Sequence, residues 1–477
     1  MQVYMLGGSV TAGIGRGTDK AYTEHFFRIL NASFPHPHHD FAVRGIGGTG
    51  SGIFSACVTR MVPPDADIVV AEFTVNEQRA DSFNVPQRRG YEQLLRKLLK
   101  LRDGAEQQAN SRAGSAGGSH GGRRRGSGSR ASGGGVRPPP PAVIVLHHYG
   151  WWISNVDDEF EPGNYYENNE AQLHTFSNYY DLPSVSIRNG LWPLMQAGRP
   201  GFRVDKVTAE KMADPAKRNP GLGWAPPHEA SQFFYHDQVH PNHVGHRAMA
   251  EALAGPLRRA LREELAARAA AAVDRSGGGG AVRREERQLL GLPPPMLPHN
   301  SEAATSLCAM QVDFEGMVVR HSRGFRYAAE RPTAATFVEQ KWGWRALQPG
   351  EWAELELDSR GGLHANDTAT VWLMYLRSYE HMGTARVECR RGCSCPLSRL
   401  DATWAKRASL NQIHSFQVSQ HKRCVVRVTV NGPDKPGVRP SDGHKVQLTG
   451  VMASFSPLTM GGLQTNVEKA ASFTSGD

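Results

Sequence analysis

No stretch of this chain holds close to 18 consecutive apolar residues, which excludes a membrane-spanning helix of ordinary length. The amino end has no basic n-region and no apolar h-region, so no signal peptide is legible there. Such an abrupt start fits a cytosolic protein, or a processed chain whose leader is gone. Cysteine is scarce, six in 477 residues, and five of the six fall beyond residue 305. The net charge of +9 invites a nucleic-acid reading, yet no RNA- or DNA-binding motif accompanies it. Much of the excess sits in one Gly/Ser/Arg tract that includes Arg123, Arg124 and Arg125, and a solvated basic loop is the plainer reading. A long amphipathic lid, of the kind that covers lipid substrates, is also missing.

What is present is enough chain for two or three domains with sizeable cores. Residues 104–141 are Gly, Ser and Arg ending in a proline run, a composition that cannot bury surface. They fall between a helix at 91–102 and a strand at 142–146, and so read as a disordered surface insertion. A second break, 276–304, carries Gly277 to Gly280 and Pro293 to Pro295 and reads as a linker. The chain therefore divides into a first domain at 1–275, a second at 305–458 and a tail at 459–477.

The second domain has short alternating strands at 335–338, 352–357, 370–376, 424–430 and 445–450, punctuated by Gly, Asn and Asp, which predicts a β-sandwich. Trp342, Trp344 and Trp372 have the chemistry to stack on sugar rings, although core packing is the expected fate of at least two. Cys308, Cys389, Cys393, Cys395 and Cys424 cluster here. That clustering favours disulfides and an oxidising compartment, secretory or extracellular rather than cytoplasmic. Five is odd, so one thiol stays free or pairs elsewhere. Cys57 reads as a small buried apolar residue.

The first domain carries the chemistry. Gln2 to Leu6 predicts a buried strand that Gly7 and Gly8 end, and Ser9 to Gly13 opens a stretch able to turn into a helix. A serine at such a turn is presented outward beside free backbone N–H groups, and needs a base within reach to act as a nucleophile. Asp237 and His240 stand three residues apart in a late segment that Pro241 keeps from running on as a helix, with a long helix at about 246–272 after it. His240 has the chemistry of the base, and Asp237 that of the group fixing its tautomer. Between these ends, Val43 to Ser51 forms a Gly-rich loop in which Gly48 offers a backbone N–H. The strand at 67–73 delivers Thr74, Val75, Asn76 and Glu77 to its carboxyl end, where open α/β sheets bind their ligands. His228, His236, His240, His243 and His246 offer a rival metal site, with His236 and His240 at helical zinc spacing. Pro241 breaks the helix it needs, and the Glu of a zinc-protease motif is missing. His147 and His148 end the strand at 142–146, where either can line a pocket, and Trp151 and Trp152 follow them.

Ser9, Gly48, Asn76 and His240, in that order, resemble the four blocks of the SGNH (GDSL-type) hydrolase family over about residues 1–265. The resemblance implies a flavodoxin-like three-layer α/β/α domain with Ser9 as nucleophile and Asp237 and His240 completing the triad. It implies an oxyanion hole of Ser9 N–H, Gly48 N–H and the Asn76 side chain. Two blocks depart from the family pattern: Gly-Gly-Ser replaces Gly-Asp-Ser, and Thr-Val-Asn-Glu replaces Gly-X-Asn-Asp. Neither removes a triad atom, while Thr74 in place of Gly is expected to narrow the site beside Asn76.

The expectation is a serine esterase needing no metal or organic cofactor, acting on a small-molecule or glycan ester, with a short acyl group such as acetate on a carbohydrate. Two other classes fit the same residues: an acyltransferase that passes the group to a sugar hydroxyl, and a glycan- or protein-binding module that keeps the fold without the chemistry. A specific nucleic-acid partner is not expected, and the oligomeric state is not legible.

Overall fold

In the computed structural model, the protein is described over residues 1–77, 82–103, 139–153, 162–166, 168–273, 291–302, 305–330, 332, 341–362, 364, 366–403, 409–432 and 443–455. The expected insertion lies outside the described residues except for its last three, and so do the strand expected at 335–338 and the tail.

Five parallel strands form the first sheet: β1 (Gln2–Gly7), β2 (Asp40–Gly45), β3 (Ile68–Glu72), β4 (Ala142–His147) and β5 (Ser184–Ser186). Their order is β2-β1-β3-β4-β5, so the chain reverses direction of travel between β1 and β3. Side-chain alternation along the strands feeds two cores. Val3, Met5, Val70 and Ile144 face one side, while Tyr4, Leu6, Val69 and Val145 face the other. The first side is covered by α1 (Tyr22–Ser33) through Tyr22, Phe26 and Leu30. The second is covered by α2 (Ser51–Met61) and α3 (Pro86–Leu99) through Ile53, Phe54, Leu94 and Leu98. Pro86 opens α3 at a position where a missing N–H costs nothing. Two further helices, α4 (Glu170–Tyr179) and α5 (Ile187–Gln196), flank the short edge strand β5, and a two-strand ladder joins β6 (Lys206–Val207) to β7 (Gly223–Trp224). The long α6 (His243–Val273) then packs Met249, Ala250 and Leu253 into the core shared with α1.

The C-terminal region is built of antiparallel strands. One sheet contains β8 (Leu307–Met310), β10 (Arg326–Ala328), β11 (Gly343–Ala346), β13 (Thr368–Arg377), β16 (Leu410–Ser419) and β18 (Val446–Ser454). The other contains β9 (Val318–His321), β12 (Trp352–Leu357), β14 (Thr384–Arg391), β15 (Ser398–Asp401) and β17 (Cys424–Val430). A short α7 (Val312–Glu315) follows β8. Val371, Leu373, Phe416 and Leu448 from the first sheet meet Leu355, Val387, Val426 and Val428 from the second in one core. Trp344 and Trp372 are buried, whereas Trp342 is partly exposed and stacks on Tyr327.

Three features differ from expectation. Cys57 is not a lone apolar residue: it is bonded to Cys308 of β8, 251 positions away, while Cys389 pairs with Cys395 and Cys393 with Cys424. The odd cysteine of the C-terminal region thus finds its partner on α2, which lies against β8. Residues 9–15 form a series of turns instead of entering a helix, because Gly13 and Gly15 adopt φ of +91° and +93°, outside the right-handed region. Finally, the described part of the segment expected as a linker, 291–302, is packed against α3. Glu92 accepts from Leu297 N–H (3.2 Å), and Glu302 pairs with Arg96 and Lys100.

Candidate active site

Ser9 sits just past the end of β1, on the turn that Ala12 N–H closes back to Gly8 O (3.1 Å). The segment carrying Asp237 and His240 is held by its own local bonds. His236 N–H donates to His240 O (2.8 Å), Asn242 N–H donates to Phe234 O (2.8 Å), and the Asn242 amide donates to Phe233 O (2.7 Å). Asn242 Oδ1 then accepts the N–H groups of Val244 (2.8 Å) and Gly245 (3.2 Å), capping α6 directly after Pro241. The break at Pro241 and the cap at Asn242 together fix where the loop ends and the helix begins.

The two ends of the chain meet at His240, whose Nε2 lies 2.7 Å from Ser9 Oγ. Its Nδ1 lies 2.9 and 3.0 Å from the two oxygens of Asp237. A carboxylate on that side makes Nδ1 the protonated nitrogen, which leaves the Nε2 lone pair facing the serine hydroxyl. Asp237 is buried and accepts two more bonds at Oδ1, from Val239 N–H (3.0 Å) and His240 N–H (2.9 Å). Burial by itself raises its pKa, but the His240 charge and hydrogen bond, with Lys211 at 3.7 Å and His236, hold it well below the usual carboxylate range.

Asn76 reaches the serine turn from the end of β3, and the loop that carries Gly48 is tied to the end of β1. Ile46 N–H donates to Gly7 O (2.9 Å), which lays the Gly48 loop beside the serine turn. Asn76 lies against Gly8 so closely that a Cβ at Gly8 would be 1.9 Å from its Oδ1. This position of Asn76 therefore requires a residue without a side chain at position 8. Glu77 binds the far side of the loop, accepting Ser51 N–H (2.8 Å), with Arg88 at 3.7 Å beneath it. Thr74 is buried, and its hydroxyl is 3.0 Å from His147 Nδ1.

His147, His148 and His246 serve packing and position. Burial brings His147 down to about 3 and His148 to about 4, so both are neutral. His148 Nε2 lies 3.0 Å from Val239 O, which ties the end of β4 to the Asp237–His240 loop. His246 accepts Tyr22 N–H at Nδ1 (3.2 Å) and reaches Ile14 O with Nε2 (3.0 Å), so both ring nitrogens are engaged within the fold. Sequence reasoning missed Lys211 and the role of His148, since no local pattern links either to residues 237–240. Trp151 and Trp152 are partly exposed: Trp151 N–H donates to Tyr235 OH (3.2 Å), and the Trp152 indole donates to Val204 O (2.8 Å).

Under the serine turn lies a fully buried acid, Glu72, the last residue of β3, to which Thr11 Oγ1 donates (3.3 Å). Burial pushes its carboxyl from 4.5 up to about 8. Between those values the native chain keeps a proton that the unfolded chain has lost. Stability therefore falls as pH rises through that window, by up to ~1.4 kcal/mol per pH unit. Glu72→Gln, which keeps the acceptor for Thr11, should match the wild type at pH 5 and exceed it at pH 8. Urea midpoints of both proteins at the two pH values test this, and an unchanged difference between them would refute it.

No family model matches the chain, and no curated protein matches it. Among solved structures, a two-domain esterase active on acetylated mannans is similar over 95% of this chain and 91% of its own, at 18% identity and a TM-score of 0.51. A possible lipase from Chitinophaga pinensis is similar over 54% of this chain and 98% of its own, with 14% identity and a TM-score of 0.34. An acetyl xylan esterase is similar over 53% and 98%, with 14% identity and a TM-score of 0.30. At these identities the likeness concerns the fold, which the first shares along both parts of the chain.

Proposed function

We propose that this protein is a serine ester hydrolase of the SGNH (GDSL) type that removes short acyl groups, acetate foremost, from carbohydrate. The observation that carries the reading is the 2.7 Å contact between His240 Nε2 and Ser9 Oγ, with Asp237 on the opposite ring nitrogen. A His240 ring turned away and locked by packing would have favoured a binding module instead. The strand order β2-β1-β3-β4-β5 supports a flavodoxin-like sheet, in which the carboxyl ends of β1 and β3 flank the switch point where ligands bind.

In the proposed reaction, Ser9 Oγ bonds to the ester carbonyl carbon as its proton passes to His240 Nε2. The carbonyl oxygen becomes an oxyanion, received by the N–H groups of Ser9 and Gly48 and the Asn76 amide. Collapse breaks the bond to the sugar oxygen, which takes the proton back from His240. Water, deprotonated by the same nitrogen, then releases the acyl group as a carboxylate and restores Ser9. Asp237 stays ionised throughout, orienting the ring and stabilising its charged form.

The substrate class draws support from the fold relative that acts on acetylated mannans and from the absence of an amphipathic lid in the sequence. The test is acetate release from acetylated mannan and xylan oligosaccharides, run beside p-nitrophenyl acetate and p-nitrophenyl palmitate. Acetate from the glycans, and far faster turnover of the short ester, are expected. Turnover of palmitate with the glycans untouched would refute the substrate class.

A further inference from the structure

Gly48 has no side chain to hold its own conformation, and its φ is +65°, one of many states a glycine can reach. Its conformation must be imposed from outside. On one side the loop is tied to Gly7 by Ile46 N–H and to Glu77 by Ser51 N–H. On the other side stands Leu410, the first residue of β16 in the C-terminal unit. A Cβ placed on Gly48 would lie 2.9 Å from Leu410 Cδ2 and 3.7 Å from Leu410 Cα.

That wall is itself anchored. Leu410 pairs with Arg377 of β13, and its neighbour Ser409 is pinned by the Lys341 ammonium on its carbonyl (2.9 Å) and by Ser378 Oγ (2.6 Å). Behind the loop, α2 is clamped to β8 through Cys57 and Cys308. Ile53 and Phe54 of α2 also share one core with Met310, Trp372, Met374 and Ile413 of the C-terminal unit.

We propose that Leu410 is a positioning residue for the oxyanion hole: it holds Gly48 in the conformation that keeps its N–H available to the developing charge. The C-terminal unit is thereby a working part of the site. This rests on the serine-hydrolase reading above. Displacing a donor by a fraction of an ångström removes stabilisation that exists only in the transition state, so kcat falls while KM holds. A leucine that merely filled space would lower stability and leave kcat alone.

The experiment compares the full chain with Leu410→Ala, Leu410→Met and Ser9→Ala on p-nitrophenyl acetate, with thermal unfolding of each. Leu410→Ala should lower kcat about 10- to 100-fold with KM within about twofold, and Leu410→Met should restore most of the loss. A folded Leu410→Ala with Ser9-dependent kcat unchanged overturns the inference alone. So does a rise in KM at constant kcat, or a loss that methionine fails to restore. Activity that survives Ser9→Ala overturns the underlying reading and this inference with it. If Leu410→Ala does not fold, Leu410→Val is judged by the same criteria.

Discussion

Ser9→Ala should lower kcat on p-nitrophenyl acetate about 10^6-fold, and Asp237→Asn about 10^4-fold, with both proteins folded. The first follows from the Ser9 hydroxyl being the atom that His240 Nε2 faces at 2.7 Å. The second is the more diagnostic. Asp237 Oδ1 accepts the N–H groups of Val239 and His240, so an asparagine must keep its oxygen there. Its amide nitrogen then takes the place of Oδ2, 3.0 Å from His240 Nδ1. Oδ1 stays 2.9 Å from the same Nδ1, so the amide offers the ring one acceptor and one donor where the carboxylate offered two acceptors. The tautomer with its proton on Nε2 gains a partner, and the charge that stabilises the imidazolium is gone in either tautomer, while every backbone contact survives. Steady-state kinetics and circular dichroism check both variants, and an Asp237→Asn enzyme keeping more than about a tenth of wild-type kcat would refute the assigned role. The sign of the acid dependence is also set. The ionised carboxylate contributes stability that is full above its ordinary value of 3.8 and is lost as pH falls towards its depressed native value.

The parts of this fold that the sequence made legible are those written in local periodicity. The strands expected at 352–357 and 424–430 have those bounds, and the helix expected at about 246–272 runs from His243 to Val273. Ser9, Asp237 and His240 were legible as candidates for one site, each lying in a short pattern whose chemistry implies the others, and the fold brings their side chains together across 228 to 231 positions. What stayed hidden depends on distant surfaces meeting. Cys57 sits among apolar neighbours on a buried helix, and nothing near it signals a partner 251 residues away. Lys211 reaches Asp237 from a short 3-10 helix with no motif of its own, and Leu410 lies against Gly48 only because the C-terminal strands pack against the first sheet's loops. The turn after Ser9 is hidden in the sequence for a different reason. Its residues permit a helix, and only the backbone angles of Gly13 and Gly15 show that the chain takes another course.

Opening the bridge between the two units should cost far more stability than opening a bridge within one of them. Cys57→Ser with Cys308→Ser frees a loop of 251 residues, for which chain entropy predicts a loss of about 5 kcal/mol. Cys389→Ser with Cys395→Ser frees a separation of only 6, for which the same relation gives about 2 kcal/mol. The long bridge has a second reason to matter: it ties α2 to β8 beside the core that Ile53 and Phe54 share with Trp372 and Ile413. That apolar contact remains in the variant, so the native arrangement should persist and the loss should appear in the unfolding equilibrium. Urea midpoints of the two double variants decide the matter. Equal losses, or a smaller loss for the 57–308 pair, would show that loop closure is not what the bridge contributes. A larger loss, accompanied by a fall in kcat at temperatures where the variant is still folded, would place the same clamp behind both stability and the Gly48 loop.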